Sequence, residues 1–398
     1  MPVIFAFLMT YKLKKIGFKL VSSQNKSEYK GCIMILESIS LLNFKNIAEA
    51  DITFSNNINC FLGNNGMGKT NLLDAIYYLS FCKSFYNISD TQNIRHGEEF
   101  FMIRGDYRNS KTNDFSEINC GVKLKQKKVF KRDKKEYGRL SEHIGYIPLV
   151  IVSPEDSELV KESSDIRRKF IDQTLSQFNR EYLSALISYN KALATRNTML
   201  RKEGSETALY EVVEAQMEYS ANYIYKCRKE FIDNFVVVFN SFYQQICGGG
   251  ESVTLSYSSH LNDGTLAEQL AESREKDKIL GYTTRGIHRD DLDMKLGDHN
   301  IKRVGSQGQT KTFAIALRFA QYEYLKKMGG KNPILLLDDI FDKLDSNRVE
   351  RIMNMVSTPD FGQIFVTDTN REYLDAIVRK SDKKFKLFGV ENGVIKEI

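Results

Sequence analysis

At 398 residues the chain is long enough for two or three domains and a large core, and 42% hydrophobic with 27% charged residues is an ordinary globular composition. A net charge of +6 permits nucleic-acid binding without arguing for it. The six scattered cysteines, with no C-x-x-C pair, exclude an obvious zinc site and read as reduced cytosolic thiols, and no apolar run approaches the ~20 residues of a membrane helix.

Residues 1–33 fit poorly with the rest of the chain. Their apolar run Val3 to Met9 is short, and Lys12, Lys14 and Lys15 come after it, the reverse of a secretory signal. A cytoplasmic protein without a membrane segment is expected, with Met34 as its true start and the leader outside the fold. From Met34 the pattern is regular: Ile35 to Leu41 alternates as a strand, and Ile52-Thr53-Phe54 reads as a second.

Gly63-Asn64-Asn65-Gly66-Met67-Gly68-Lys69-Thr70 then fits G-x-x-x-x-G-K-[ST], the phosphate-binding P-loop. Its flanks agree: Ile58 to Leu62 reads as a buried strand, and Asn71 to Leu79 has apolar residues at helical spacing. Strand, glycine-rich turn and helix N-terminus aim backbone N–H groups and the helix dipole at an anion. Glycines at 63, 66 and 68 let the backbone wrap closely. Lys69 is expected on the β- and γ-phosphates and Thr70 on Mg²⁺, making ATP and Mg²⁺ the expected cofactors.

Phe101 to Gly105 and Ile118 to Leu124 read as strands, followed by a basic run of Lys125, Lys127, Lys128, Lys131, Arg132, Lys134 and Lys135. This is either a solvated hairpin or a DNA-backbone contact, since clustered cations release counterions from phosphates. Ile171, Leu175, Phe178, Tyr182, Leu186, Tyr189 and Leu193 step by three and four, predicting one long helix. Gly204-Ser205 breaks the pattern, and Val213, Met217, Ile224, Cys227, Phe231 and Phe235 predict a second helix packed on the first, ending at Gly248-Gly249-Gly250. Beyond about residue 280 the α/β pattern returns. Ile334 to Leu337 and Gln363 to Thr367 read as buried strands, and Lys384 to Phe388 and Gly393 to Ile395 as the last ones.

A P-loop needs an acidic partner, and Asp338-Asp339 at the end of the Ile334 strand supplies it. Asp338 is expected to hold Mg²⁺ and Asp339 to orient or deprotonate the attacking water; the plainer reading of Asp339 is a helix cap at the strand exit. Val304-Gly305-Ser306-Gln307-Gly308-Gln309 precedes another helix, forming a second anion site. One nucleotide cannot readily use both helix ends of one lobe. The economical geometry is a two-fold dimer in which Ser306, Gly308 and Gln309 reach the partner's ATP.

P-loop, Ser-x-Gly-Gln and Asp-Asp followed by Phe341-Asp342-Lys343-Leu344-Asp345 resemble the head domain of the ABC/SMC ATPases. Within them the chain closely resembles the RecF-like family, through Lys83-Ser84-Phe85, Ser153-Pro154-Glu155-Asp156, Arg167 to Asp172, Arg196-Asn197 and Gly286 to Leu292. The resemblance implies an α/β ABC/SMC-type P-loop head with an inserted helical, short coiled-coil-like domain. The expected division is 34–160 for the lobe with the P-loop, 161–275 for the helical insertion and 276–398 for the second lobe, with 1–33 outside. It implies an ATP-dependent homodimer that binds duplex and gapped or single-stranded DNA, a slow DNA-dependent ATPase acting in recombinational repair, and partnership with RecO and RecR in loading RecA. It places Asp345 in a dimer-contact loop. A chromosome-organising SMC-like or Rad50-like ATPase is the alternative, for which the insertion is short. Two departures stand out: Asp339 replaces the usual glutamate, and Thr367-Asp368 replaces a switch histidine, leaving either as the γ-phosphate sensor. His288 reads as packing or DNA-adjacent.

Overall fold

Continuous apolar runs and alternating ones separate cleanly in three dimensions. The computed structural model describes residues 32–202, 207–380 and 384–398; residues 1–31 of the expected leader and Gly204-Ser205 lie outside the described residues. In chain order the strands β1 (Cys32–Phe44), β2 (Ile47–Thr53) and β3 (Ile58–Leu62) lead to helix α1 (Lys69–Phe81). β4 (Phe100–Asn109), β5 (Phe115–Lys123), β6 (Val129–Arg132), β7 (Lys135–Glu136) and β8 (Leu149–Val152) come next. The helical stretch contains α2 (Ser157–Lys161), α3 (Ser164–Ser176), α4 (Arg180–Leu200) and α5 (Thr207–Cys247), then β9 (Val253–Ser258) and α6 (Leu266–Leu280). The chain returns through β10 (Asp291–Leu296), β11 (His299–Asn300), α7 (Ile301–Val304), α8 (Gln307–Gly329), β12 (Lys331–Asn332) and β13 (Ile334–Asp338). It ends with α9 (Ser346–Val356), β14 (Ile364–Asp368), α10 (Arg371–Lys380), β15 (Phe385–Glu391) and β16 (Val394–Glu397).

The continuous apolar runs form the central sheet, ordered β16-β15-β3-β14-β13-β8, in which all pairs but β15–β16 are parallel. β13 and β14 are buried throughout, as strands covered on both faces must be. A second, mainly antiparallel sheet runs β12-β1-β4-β5-β6-β7 with β2 beside β1. Its alternation is visible in β4, where Phe101, Ile103 and Tyr107 are buried and Met102 and Arg104 exposed. α1 fills the space beneath, with Leu72, Leu73, Ile76 and Leu79 fully buried. β11-β10-β9 form a small third sheet.

Two expectations are corrected. The regular pattern begins two residues before Met34, because Cys32 and Ile33 already pair with Lys331 and Asn332. The predicted single helix through Ile171 and Leu193 is two helices, α3 and α4, broken at residues 177–179. Asn179 caps α4 by accepting from Tyr182 N at 2.9 Å, while the Gln177 side chain accepts from Leu149 N at 2.9 Å. The second predicted helix is α5, 41 residues long, or about 60 Å. Two buried arginines fasten these helices to the body. Arg228 of α5 bonds Asp172 of α3 and Asp290, and Arg196 of α4 bonds Glu214 and Asp277. Among the described residues, no helix is long and apolar enough to cross a membrane.

Candidate nucleotide site

The predicted P-loop does leave β3 and close on α1. Gly66 and Gly68 take φ of 79° and 112°, and a Cβ at Gly68 would stand 2.7 Å from Asn46 Oδ1. Gly63 is required by contact instead: its Cβ would meet the Val390 carbonyl at 2.3 Å. Two turns hold the loop from outside. Asn46, between β1 and β2, donates to the Met67 carbonyl at 3.2 Å and accepts from Asn71 at 2.8 Å. Gly393, between β15 and β16, donates its N–H to the same carbonyl at 2.8 Å.

Lys69 Nζ donates to the carbonyls of Gly63 and Asn64 at 2.5 and 3.0 Å. Burial lowers its pKa, against the pull of Asp339, Asp338 and Asp368. Phosphate oxygens arriving in the loop would replace those carbonyls as its partners. Asn65, Gly68, Lys69, Thr70, Asp338 and Asp339 are among the residues lining a cleft of about 120 Å³.

Thr70 and Asp338, both expected at the metal, meet: Thr70 Oγ1 donates to Asp338 Oδ1 at 3.1 Å. β14 lies between β3 and β13, so Asp338 reaches the P-loop across an intervening strand, and Thr367 on that strand donates to the same oxygen at 2.6 Å. This corner is made wholly of oxygen donors, the chemistry that suits Mg²⁺. Asp339 lies beyond the strand with φ 48°, its N–H bonded to Thr367 at both carbonyl (3.2 Å) and hydroxyl (3.1 Å). Burial pushes its carboxyl pKa up, the Asp338 charge adds to that, and Lys69 opposes it. Thr367 is thus committed to the Asp338 carboxylate and to the Asp339 backbone N–H. Asp368 accepts from Asn370 N at 2.6 Å, with its pKa raised mainly by burial.

Tyr86 is a residue of this site that sequence reasoning missed. Its phenol donates to Asp338 Oδ2 at 2.8 Å across 252 residues of chain. The loop carrying it is anchored by Asp74, a fully buried carboxylate on α1 that accepts from Ser84 Oγ (2.6 Å) and Phe85 N (2.7 Å) and pairs with Lys45 (2.6 Å). Lys83-Ser84-Phe85 was the available signal, but nothing local shows what it anchors.

Ser306 begins α8 with a capping box: its Oγ accepts from Gln309 N at 3.2 Å, and Gln309 Oε1 accepts from Ser306 N at 2.9 Å. Ser306 is exposed and is not among the residues lining the P-loop cleft. The Gln309 carboxamide also donates to Glu251 at 3.2 Å, so within this chain it supports Ser306 from behind. Asp345 caps α9, accepting from Arg348 N at 3.0 Å. Gly308 adjoins the same residue, for a Cβ there would stand 2.8 Å from Arg348 Nη1.

The basic run divides. Lys125 and Lys127 are exposed in the β5–β6 turn, Lys134 and Lys135 are exposed at the β6–β7 turn, and Lys131 is half-buried. Lys128 instead turns inward, donating to Asp90 (2.8 Å) and the Cys82 carbonyl (2.6 Å), an internal role the sequence did not suggest. The Arg132 guanidinium stacks over Tyr146 at 4.5 Å. His288 packs between the Tyr189 phenol (2.8 Å) and the Thr283 carbonyl (3.0 Å), with burial lowering its pKa to about 4.

The model of the RecF/RecN/SMC N-terminal domain matches residues 35–396. The chain is 54% identical over 366 residues to the DNA replication and repair protein RecF of Bacteroides thetaiotaomicron, covering 92% of this chain and 99% of that one. To the RecF of Parabacteroides distasonis it is 52% identical, over 91% of this chain and 99% of that one. Among solved structures it is similar to the recombination mediator protein RecF-ATPrS in the RecFOR pathway, with a TM-score of 0.82, 28% identity and coverage of 92% and 99%. The Smc head domain from Pyrococcus furiosus shares the fold, at a TM-score of 0.56 and 18% identity over 92% of this chain and 96% of that one.

Proposed function

The chain belongs to the RecF/RecN/SMC N-terminal domain family, within it to the RecF proteins of DNA replication and repair, and we propose that it works as an ATP-gated clamp on DNA. The observation that carries this reading is a division of labour. P-loop, Thr70, Asp338 and Asp339 line one cleft, while the exposed helix end at Ser306 lies outside it. Two copies related by a two-fold axis would each complete the other's cleft, so ATP would join them. Lys69 would bind the β- and γ-phosphates, and the Ser306 hydroxyl with the Gly308 N–H would meet the partner's γ-phosphate. Thr70 and Asp338 would hold Mg²⁺, which neutralises charge on the transferring phosphoryl group. Asp339, with its raised proton affinity, is suited to take a proton from the attacking water, giving a slow ATPase that resets the clamp.

The RecFOR pathway of the similar solved structure suggests RecR and RecO as partners, and we extend the reading to single-strand gaps and assistance to RecA loading. The 34–160, 161–275 and 276–398 division is the domain scheme that goes with it, and Asp345 is read as a contact between the two heads. Sedimentation with ATP tests the shared site. Ser306→Arg is expected to spare ATP binding by the monomer and abolish the ATP-dependent dimer. A wild-type level of dimer in that variant would overturn the reading.

A further inference from the structure

The 41-residue α5 stops at Cys247, and the next three residues, Gly248, Gly249 and Gly250, have φ of 83°, 88° and 88°. Three successive left-handed residues suit glycine alone, and they turn the chain sharply into Glu251. The Glu251 carboxylate is half-buried and touches three elements. Its Oε1 accepts from Gln309 Nε2 at 3.2 Å and lies 3.6 Å from Arg348 Nη2, while Oε2 accepts from the Tyr243 phenol in the last turns of α5. Its backbone carbonyl accepts from Gln244 Nε2 at 2.5 Å. Arg351, one turn along α9 from Arg348, donates to the Ile246 carbonyl at 3.2 Å. A Cβ at Gly248 would stand 2.2 Å from Arg351 Nη1.

The consequences for the Ser306 end of α8 are specific. Gln309 is the capping-box residue of that end, so Glu251 anchors the far side of the amide that bonds Ser306 N. Arg348 lies against Gly308 and also pairs with Asp345 at 3.4 Å. With Glu251 removed, Arg348 keeps Asp345 as a carboxylate neighbour among the described residues and is drawn toward it, and the Gln309 amide loses the acceptor that stops it rotating out of the box.

We propose that Glu251 is a positioning residue for the Ser306 site, holding the start of α8 and the Asp345 loop in register with each other and with the end of the helical insertion. Displacement of α5 would therefore be felt at the surface offered to the second subunit. The proposal rests on the shared-site reading above, and its test separates the two. Glu251→Gln preserves volume and an acceptor but removes the charge that holds Arg348. Three quantities are read on the full chain: binding of a fluorescent ATP analogue at concentrations where it is monomeric, the dimer dissociation constant with ATP by sedimentation, and Tm.

The expected result is unchanged monomer binding and Tm with a dimer weakened about tenfold, the size of effect a charge-assisted contact supports. Arg348→Gln should weaken the dimer similarly, and the double variant should do little more than either alone. If Glu251→Gln dimerises like wild type while Ser306→Arg does not dimerise at all, the positioning role is wrong and the shared site stands. If Glu251→Gln instead loses Tm and monomer binding together, Glu251 is merely structural and the proposal also fails. Should Ser306→Arg leave the dimer intact, the shared-site reading itself fails.

Discussion

Asp339 stands one residue past its strand in a left-handed conformation, next to a second carboxylate and with Lys69 pulling on its charge. Burial first, and then the Asp338 charge, make its carboxyl hold a proton to higher pH than a free aspartate, whose pKa is about 4, with Lys69 opposing the shift. The ATPase rate is expected to rise with pH through that elevated value, placing the acid limb above the ordinary carboxylate range; Asp339→Asn should abolish turnover while still binding ATP. A pH–rate profile with its acid limb near 4, or full turnover by the Asn variant, would remove Asp339 from proton transfer. The same shift sets the sign of its effect on stability. The protonated form favours the folded state at pH below the unfolded pKa, and that contribution is lost as pH rises through the folded one. Asp338, by contrast, spends its oxygens on three hydroxyls, those of Thr70, Thr367 and Tyr86. Motif spacing exposed the first of these. The third was invisible, because the Tyr86 loop is aimed by buried Asp74, whose own role no local pattern announces.

Helix α5 is held to the body by Arg228, whose guanidinium meets Asp172, Asp290 and the Ile287 carbonyl in a site with almost no solvent access. Removing one member of such a network leaves the others charged and dry. Arg228→Met is expected to lower unfolding stability by about 3–5 kcal/mol in urea titrations, chiefly through the stranded Asp290. A loss under 1 kcal/mol would mean that water replaces the arginine at little cost. The periodicity of α3 and α4 is instructive at this scale. Apolar positions 171, 175, 178 and 182 keep their spacing across the break, because all of them pack with the same core. The interruption arises from Gln177 docking on β8 and Asn179 capping α4, contacts that hydrophobic pattern does not encode.

At the scale of the molecule, the exposed lysines of the two turns and the inward Lys128 should behave oppositely. Replacing Lys125, Lys127, Lys134 and Lys135 together by Ala is expected to weaken DNA binding and flatten its salt dependence, by about 0.9 in log–log slope for each phosphate no longer neutralised. Lys128→Ala should instead lower Tm, since it leaves Asp90 without its ammonium, and leave the slope unchanged. An unaltered slope in the quadruple variant would place DNA elsewhere on the surface.

The parts of this protein legible from its residues alone are those whose chemistry is contiguous: the glycine cradle with Lys69 and Thr70, the Asp338-Asp339 pair closing an apolar strand, and the serine-capped helix at 306. Each is a local backbone geometry, so a few adjacent residues specify it. What required the folded chain was the meeting of distant segments: β14 set between the two site strands, Tyr86 on Asp338, Lys128 turned inward to Asp90, and Glu251 joining three helices. Those contacts depend on how sheets and helices stack. Stacking is governed by buried area summed over the whole core, a quantity that no short stretch of sequence contains.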